Sequence, residues 1–191
     1  MEQGTPQSEQ FSRDAWVAAA LGLFESGGPK AVWVDSIAKS LQITRGSFYW
    51  HFANRADLLN ALLERWTDEQ TKRIISENEA QGGAPRERLL RLLKICAADD
   101  GRLELGIRDW AKEDGKARAV LQGVDKHRTH YLARLIEGCG LSKSEAEVRA
   151  NLVYLSWLGL YSNAAVPNVD QRIQLMVDLC NIMISRGKTS E

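Results

Sequence analysis

The sequence predicts an all-α protein, and three observations carry the prediction. From Phe11 onward, apolar residues recur with helical period in segment after segment. The segments are separated by residues that stop helices: Gly27-Gly28-Pro29, Gln81-Gly82-Gly83-Ala84-Pro85, Asp99-Asp100-Gly101, Gly138-Cys139-Gly140 and Pro167. No stretch shows the apolar-polar alternation of a half-buried strand.

Taken in order, residues 1–10 are polar and read as a disordered tail. Trp16, Ala20, Leu23, Phe24 and Gly27 form the inner face of a first helix, which the Gly-Gly-Pro cluster ends. Val34 to Leu41 predicts a short helix with Ile37, Ala38 and Leu41 on one face. Thr44 is placed to cap a third short helix running to about Trp50. Asn54 caps a long helix with Leu58, Leu62 and Ile74 inward. Pro85 opens the next, whose apolar side is Leu89, Leu92, Leu93 and Cys96. A short helix covers residues 103–112, and Asp114 starts a longer one ending at Gly138. Ser142 and Ser144 are caps for the following helix, with Glu145 completing a capping box from Ser142. The last helix follows Pro167 and ends near Gly187. About nine helices result. They divide into an N-terminal three-helix domain over residues 11–54 and a C-terminal helical domain over 55–191.

Composition narrows the class without naming it. An apolar share of 44% and a charged share of 26% fit a soluble globular chain. Net charge is zero, and within residues 1–55 Arg13, Lys30, Lys39, Arg45 and Arg55 are balanced by Glu2, Glu9, Asp14, Glu25 and Asp35. A nucleic-acid reading must therefore rest on where residues lie, not on bulk charge. Cys96, Cys139 and Cys180 are far apart, with no pairing or metal spacing, and read as reduced thiols of a cytoplasmic protein. The polar residues 1–10 carry no signal-peptide pattern. The longest apolar run, Leu152 to Tyr161, is too short to span a bilayer and contains Ser156, so no membrane partner is expected.

Two short helices joined by a tight turn, behind a first helix, make a helix-turn-helix, whose later helix lies in the major groove. That helix holds Thr44, Arg45, Gly46, Ser47, Tyr49 and Trp50. Its first amides favour phosphate. Arg45 reaches a guanine edge or a phosphate. Gly46 lets the backbone come close to DNA, and Tyr49 offers a hydroxyl to phosphate and a ring to base methyls. Ile43, Phe48 and Phe52 anchor the helix from behind. Tyr49, Trp50 and His51 in a row cannot all face inward on one helix.

The run Ile43-Thr44-Arg45-Gly46-Ser47-Phe48-Tyr49-Trp50-His51-Phe52, then Asn54-Arg55 and Leu58-Leu59, resembles the recognition-helix signature of the TetR family of regulators. The likeness extends back through Ile37-Ala38 and the Ala19-Ala20, Leu23-Phe24 pattern, covering roughly residues 11–62. The C-terminal part is similar in length and helix count. The resemblance implies that Thr44 and Arg45 contact DNA at the start of the recognition helix. Ser47 and Tyr49 meet bases or phosphates along it, and His51 and Arg55 grip phosphate beyond its end. It further implies a homodimer closed by a four-helix bundle of the last two helices, and a small-molecule effector. The sequence departs from the family pattern twice. Gln42 stands where a turn glycine is usual, at a strain of about 1 kcal/mol if φ is positive. Trp33 stands where a small hydroxyl residue is usual, so it cannot cap through a hydroxyl, though its indole N–H can still donate to a phosphate.

In the C-terminal half, the stretches 152–161 and 173–184 are apolar nearly all round, and such helices need cover on every side. A partner subunit is the natural cover. The expected interface comprises Leu152, Leu155, Ser156, Gly159, Met176, Leu179, Cys180 and Met183, with Ser156 and Gly159 allowing close approach. Val120, Val124, His127, Tyr131 and Leu135 share a helical face, which sets His127 on an apolar stripe, as a core histidine or a pocket donor. With Trp66, Arg108, Trp110, Tyr154 and Trp157, His127 and Tyr131 are the candidate walls of a pocket for an apolar or aromatic effector.

Other chemistries find less support. His127 and His130 lack further ligands for a metal, and there is no phosphate loop, bundle iron motif or nucleophile motif. No cofactor and no enzymatic activity are expected. The reading is a ligand-responsive homodimeric regulator of double-stranded operator DNA, most simply a repressor. Its rivals are an all-helical bundle enzyme or carrier without DNA binding, and a regulator answering to a protein partner.

Overall fold

A computed structural model describes residues 12–162 and 168–185. The expected tail at 1–10, Pro167 and the helix end near Gly187 lie outside the described residues. The first helices are α1 (Arg13–Ala31), α2 (Val34–Ser40), a 310 turn (Arg45–Trp50) and α3 (Arg55–Thr67). A π segment (Asp68–Arg73) leads into α4 (Ile74–Ala80) and α5 (Pro85–Ala98). Then come α6 (Arg102–Glu113), α7 (Gly115–Gly138), α8 (Lys143–Ser162) and α9 (Val169–Ile184). The fold is all-α, with no strand among the described residues. Two compact units are present, one of residues up to Glu69 with Arg102–Leu121, the other of Gln70–Gly101 with residues from Gln122 onward.

In the first unit α1 packs on α3 and α6, and α2 on the 310 turn. Ser12 caps α1 by accepting from the Ala15 N–H at 3.1 Å. Gly27 and Gly28 leave helical geometry and break α1 where the glycines predicted a stop. Trp16, Phe24, Ile37, Phe48, Phe52, Leu58 and Leu62 are all buried. Trp16 meets Phe48 edge-on at 5.2 Å, and Phe48 stacks on Phe52 at 5.4 Å. This aromatic block holds the 310 turn to α1, because the rings fill the space beneath it.

The turn after α2 has a defined geometry. The Ile43 N–H donates to Ala38 O at 2.9 Å, and the Gln42 N–H donates to Lys39 O at 3.2 Å. This is the paired bonding that ends a helix through a left-handed residue. Gln42 is that residue, with φ 58°. Positive φ is costly for a side chain with a Cβ, so Gln42→Gly is expected to raise stability by up to about 1 kcal/mol. The gain is reduced by the greater freedom glycine gives the unfolded chain. Thermal denaturation reads the difference, and a clear fall in melting temperature would mean that the Gln42 side chain stabilises the turn.

In the second unit α9 packs on α5 and α8, α5 on α8, and α4 on α5. Leu89, Leu93, Tyr131, Ile136, Val153, Met176 and Cys180 belong to one buried cluster. The predicted capping box is in place: Glu145 N–H donates to Ser142 Oγ at 3.3 Å, and Ser142 N–H donates to Glu145 Oε2 at 3.1 Å. Asn54 caps α3 by accepting from Asp57 N–H at 3.0 Å. The long helix expected from Asn54 is interrupted by the π segment, a widened turn of the kind that re-aims side chains at functional sites. No helix among the described residues is long and apolar enough to cross a membrane.

Candidate nucleic-acid interface and effector site

The recognition segment is a 310 turn of six residues rather than an α-helix, and Thr44 precedes it without a side-chain cap bond. Phe48 faces inward, 1% exposed, while Tyr49 and Trp50 are 59% and 87% exposed. Thr44, Arg45 and Gly46 are also exposed, and Ser47 and His51 half-buried. Two large aromatic rings held in water are unusual, because each forgoes burial that would stabilise the fold. A Cβ on Gly46 would meet nothing closer than Thr44 Oγ1 at 3.7 Å, so no internal packing demands glycine there. Ser47 Oγ donates to Thr44 O at 2.7 Å, which stiffens the turn. Arg45 lies 3.5 Å from Asp35. Its guanidinium is held in the charged state first by a hydrogen bond with Tyr49 and then by Asp35. A cation beside two exposed aromatics, on a rigid turn, suits the edge and phosphates of a duplex.

Arg55, to which the resemblance assigns a phosphate contact, is bonded within its own unit. Its Nε donates to Val32 O at 2.6 Å and its Nη2 donates to Pro29 O. The guanidinium also lies over the Trp33 ring, 5.3 Å from its centroid. Trp33 is the residue before α2 and makes no side-chain cap, as its lack of a hydroxyl requires. Trp33 as a whole is 60% exposed.

The seven expected wall residues divide between the units. In the first, Trp66 is 1% exposed, Arg108 Nε donates to the buried Glu104 at 2.8 Å, and half-buried Trp110 packs against Phe24 at 5.8 Å. In the second unit, His127 is exposed, which corrects its place on the buried stripe. The stripe instead runs through Val124, Arg128, Tyr131 and Leu135, and the buried polar residue is Arg128. Helical spacing admits either neighbour after Val124, since steps of three and four both stay on one face.

Arg128 organises a polar network that sequence reasoning missed. Its Nε donates to Thr71 Oγ1 at 2.9 Å, Nη2 to Gln70 O at 3.1 Å and Nη1 to Tyr154 OH at 3.5 Å. The guanidinium sits 5.3 Å from the Trp157 ring centroid. Tyr154 OH donates to Asp125 Oδ1 at 2.7 Å. Trp157 Nε1 donates to Tyr161 OH at 2.9 Å, and Tyr161 OH donates to Cys96 O at 2.9 Å. Nearby in sequence, Tyr131 OH accepts from Asn78 Nδ2 at 2.9 Å. Thr71 belongs to the π segment, which explains its inward aim. Tyr154 and Trp157 thus border Arg128 within the second unit, while Tyr131 pairs with Asn78. An open surface cleft of about 490 Å3 lies elsewhere, against Ala84, Arg86, Cys139, Asn181 and Ser185, and none of the expected wall residues line it.

The last two helices are not apolar surface all round. Met176 and Cys180 are 1% and 0% exposed and face the core of their own unit, which corrects their place in an intersubunit surface. Burial pushes the Cys180 thiol up to about 11, with Cys139 adding to the shift and Arg86 opposing it. Leu152, Leu155, Ser156 and Gly159 are exposed on α8, joined by Val148. On α9 Leu175 and Ile182 are exposed and Leu179 and Met183 half-buried. Val148, Leu152, Leu155 and Gly159 are spaced four, three and four residues apart, so they form one stripe along α8.

Comparisons with known proteins bear on this geometry. Residues 17–62 match the family model for bacterial regulatory proteins of the tetR family. The transcriptional regulator AcuR of Cereibacter sphaeroides is 28% identical over 173 residues, covering 82% of this chain and 77% of that protein. The regulator AcrR of Shigella flexneri is 36% identical over 64 residues, 34% of this chain, and the match spans only 30% of that relative. Among solved structures, a transcriptional regulator from Saccharomonospora viridis in complex with choline shares the fold at a TM-score of 0.77 and 20% identity, over 92% of this chain and 97% of that one. The matched segment is the one that presents Arg45, Tyr49 and Trp50, and the fold match extends over both units. The family-model match, the curated relatives and the shared fold together support a DNA-binding transcriptional regulator of the TetR family rather than an enzyme.

Proposed function

We propose that the chain acts as a homodimeric repressor in the cytoplasm, released from its operator by an apolar or aromatic small molecule. The observation that carries the DNA half is the outward surface of Thr44, Arg45, Gly46, Tyr49 and Trp50 on a turn anchored by Phe48 and Phe52. In this reading residues 11–54 bind the operator and residues 55–191 sense the effector and dimerise. Two recognition segments then read two half-sites of a pseudo-palindrome. The exposed stripe of Leu152, Leu155, Ser156 and Gly159, with Leu179 and Met183 of α9, supports the dimer.

Selection of bound fragments from random-sequence DNA tests the reading and yields the operator. On the selected duplex, Arg45→Ala is expected to weaken binding roughly 5- to 150-fold per half-site if Arg45 reads a guanine. Tyr49→Ala is expected to weaken it further. Unchanged affinity in the double variant would remove the recognition role from this segment.

The effector half rests on Tyr154 and Trp157 beside Arg128, with Tyr131 three residues further along α7, apolar rings with a few polar tips. Thr71, which holds Arg128, lies in the π segment that continues α3, the helix directly after the recognition segment. By linkage, effector and operator weaken each other by one factor, about 5- to 150-fold for an ordinary coupling. Tryptophan fluorescence reports the binding. Trp157→Phe is expected to reduce the fluorescence response and leave operator affinity intact. A tight ligand that leaves operator affinity unchanged would refute switching by that ligand.

A further inference from the structure

We infer that Arg55 is a positioning residue for operator readout and not a phosphate contact, and that Trp33 is the floor on which it is set. The inference rests on the DNA-binding role of the first unit and on the two hydrogen bonds and one ring stack that Arg55 makes. Arg55 stands at the first position of α3, where the helix dipole disfavours a cation. A basic residue there needs compensation, and two main-chain carbonyls supply it. Nε donates to Val32 O at 2.6 Å and Nη2 donates to Pro29 O, which already accepts from the Val32 N–H. Those carbonyls belong to the broken end of α1, and Val32 itself is fully buried. The guanidinium carbon lies over the indole of Trp33, 5.3 Å from the ring centroid, and Trp33 is the residue from which α2 starts. One side chain therefore joins the end of α1, the start of α2 and the start of α3.

The arrangement explains the unusual tryptophan. A small hydroxyl residue at position 33 would cap α2 through its side chain. Trp33 makes no such bond, but it gives the guanidinium a broad π-face, an interaction that a planar cation uses better than an ammonium. The stack and the two hydrogen bonds fix the angle at which α2 leaves α1. The recognition turn packs on α2 and follows it across the left-handed Gln42. An error in that angle is passed to Arg45 and Tyr49, whose base readout depends on register, whereas phosphate attraction is tolerant of it.

The experiment compares wild type with Arg55→Lys, Arg55→Gln and Trp33→Leu. Two duplexes of equal length are used, one selected by the wild-type protein from random-sequence DNA and one scrambled. Binding is followed by anisotropy over about 50–200 mM salt, well below the melting temperature of each variant. A positioning role predicts that the ratio of selected to scrambled affinity falls about tenfold in both Arg55 variants. The retained charge of lysine gives no rescue, since an ammonium cannot serve both carbonyls and the ring together. The salt slope stays at the wild-type value, and Trp33→Leu lowers the ratio in the same way. A purely structural loss would lower the melting temperature and leave the ratio unchanged in the folded variants, which overturns the inference. So does the phosphate outcome, in which lysine keeps full affinity, glutamine weakens both duplexes alike, and the slope drops by about 0.9 for each phosphate that is no longer neutralised. If the Arg55 variants fail to fold by circular dichroism, Trp33→Leu decides alone: an unchanged ratio overturns the inference. If the selected duplex shows no preference even for wild type, the DNA-binding reading fails first, and that result is separate from any effect of Arg55.

Discussion

Leu155→Arg is expected to turn the protein into a soluble monomer and to lower operator affinity by roughly 10²–10⁴-fold, the avidity that two linked half-site contacts supply. Leu155 is 63% exposed on α8, in line with Val148, Leu152 and Gly159. In the free chain an arginine there is solvated and harmless. In a dimer it would be a charge buried without a partner, at a cost of several kcal/mol. Ile182→Arg, 64% exposed on α9, is expected to act in the same way. Met176→Arg should differ in kind. Its side chain is 1% exposed inside one unit, so the substitution is expected to unfold that unit rather than dissociate a dimer. Light scattering separates these outcomes, with circular dichroism to establish that the exposed-site variants remain folded. A Leu155→Arg protein that stays dimeric would place the subunit contact somewhere other than this stripe.

The contrast between Leu155 and Met176 also shows why the sequence was less informative here than at the recognition turn. Near residue 50 the residue types are distinct: Phe48 and Phe52 are buried and Tyr49 and Trp50 exposed, and the spacing predicts that division. In α8 and α9 nearly every position is apolar, so the periodicity carries no contrast from which to read an inner face. Met176 and Cys180 could be separated from Leu175 and Leu179 only by knowing that α9 packs on α5.

Other gaps have similarly specific causes. His127 and Arg128 are adjacent, and helical spacing allows either to follow Val124 on the buried face; the residue types favoured histidine. An arginine is seldom buried unless bonded, and its partners Thr71, Gln70 and Tyr154 lie on segments far away in sequence. Arg55 was legible as a basic residue near the recognition turn. That it is held by the carbonyls of Pro29 and Val32 was not, because main-chain acceptors leave no mark in residue type. Gln42 is the opposite case. Its place in a turn that favours glycine predicted strain at positive φ, and φ is 58°.

Gly101→Ala is expected to destabilise the protein by about 3–4 kcal/mol, from the left-handed backbone penalty together with overpacking of a filled core. The sequence marks Gly101 only as the residue that ends α5. In the fold it is buried at φ 74°, and a Cβ placed on it would come within 2.2 Å of Tyr161 Cγ. The Tyr161 ring has little freedom to yield. Its hydroxyl donates to Cys96 O at 2.9 Å and accepts from Trp157 Nε1 at 2.9 Å, and the two rings meet edge-on at 5.3 Å. Moving the ring breaks these bonds and disturbs Trp157, against which the Arg128 guanidinium rests. A loss of this size corresponds to a fall of roughly 10 °C in melting temperature for a chain of this length. Gly46→Ala offers the comparison, since a Cβ there makes only an ordinary contact with Thr44 Oγ1 at 3.7 Å and the recognition turn should melt as before. Tyr161→Ala in the Gly101→Ala background removes the clash and leaves the backbone strain. The two substitutions should therefore be less harmful together than the sum of their separate effects. Strict additivity, or a Gly101→Ala protein that melts with wild type, would mean that the tyrosine ring is free to move and that the polar chain from Cys96 to Arg128 is not held at this point.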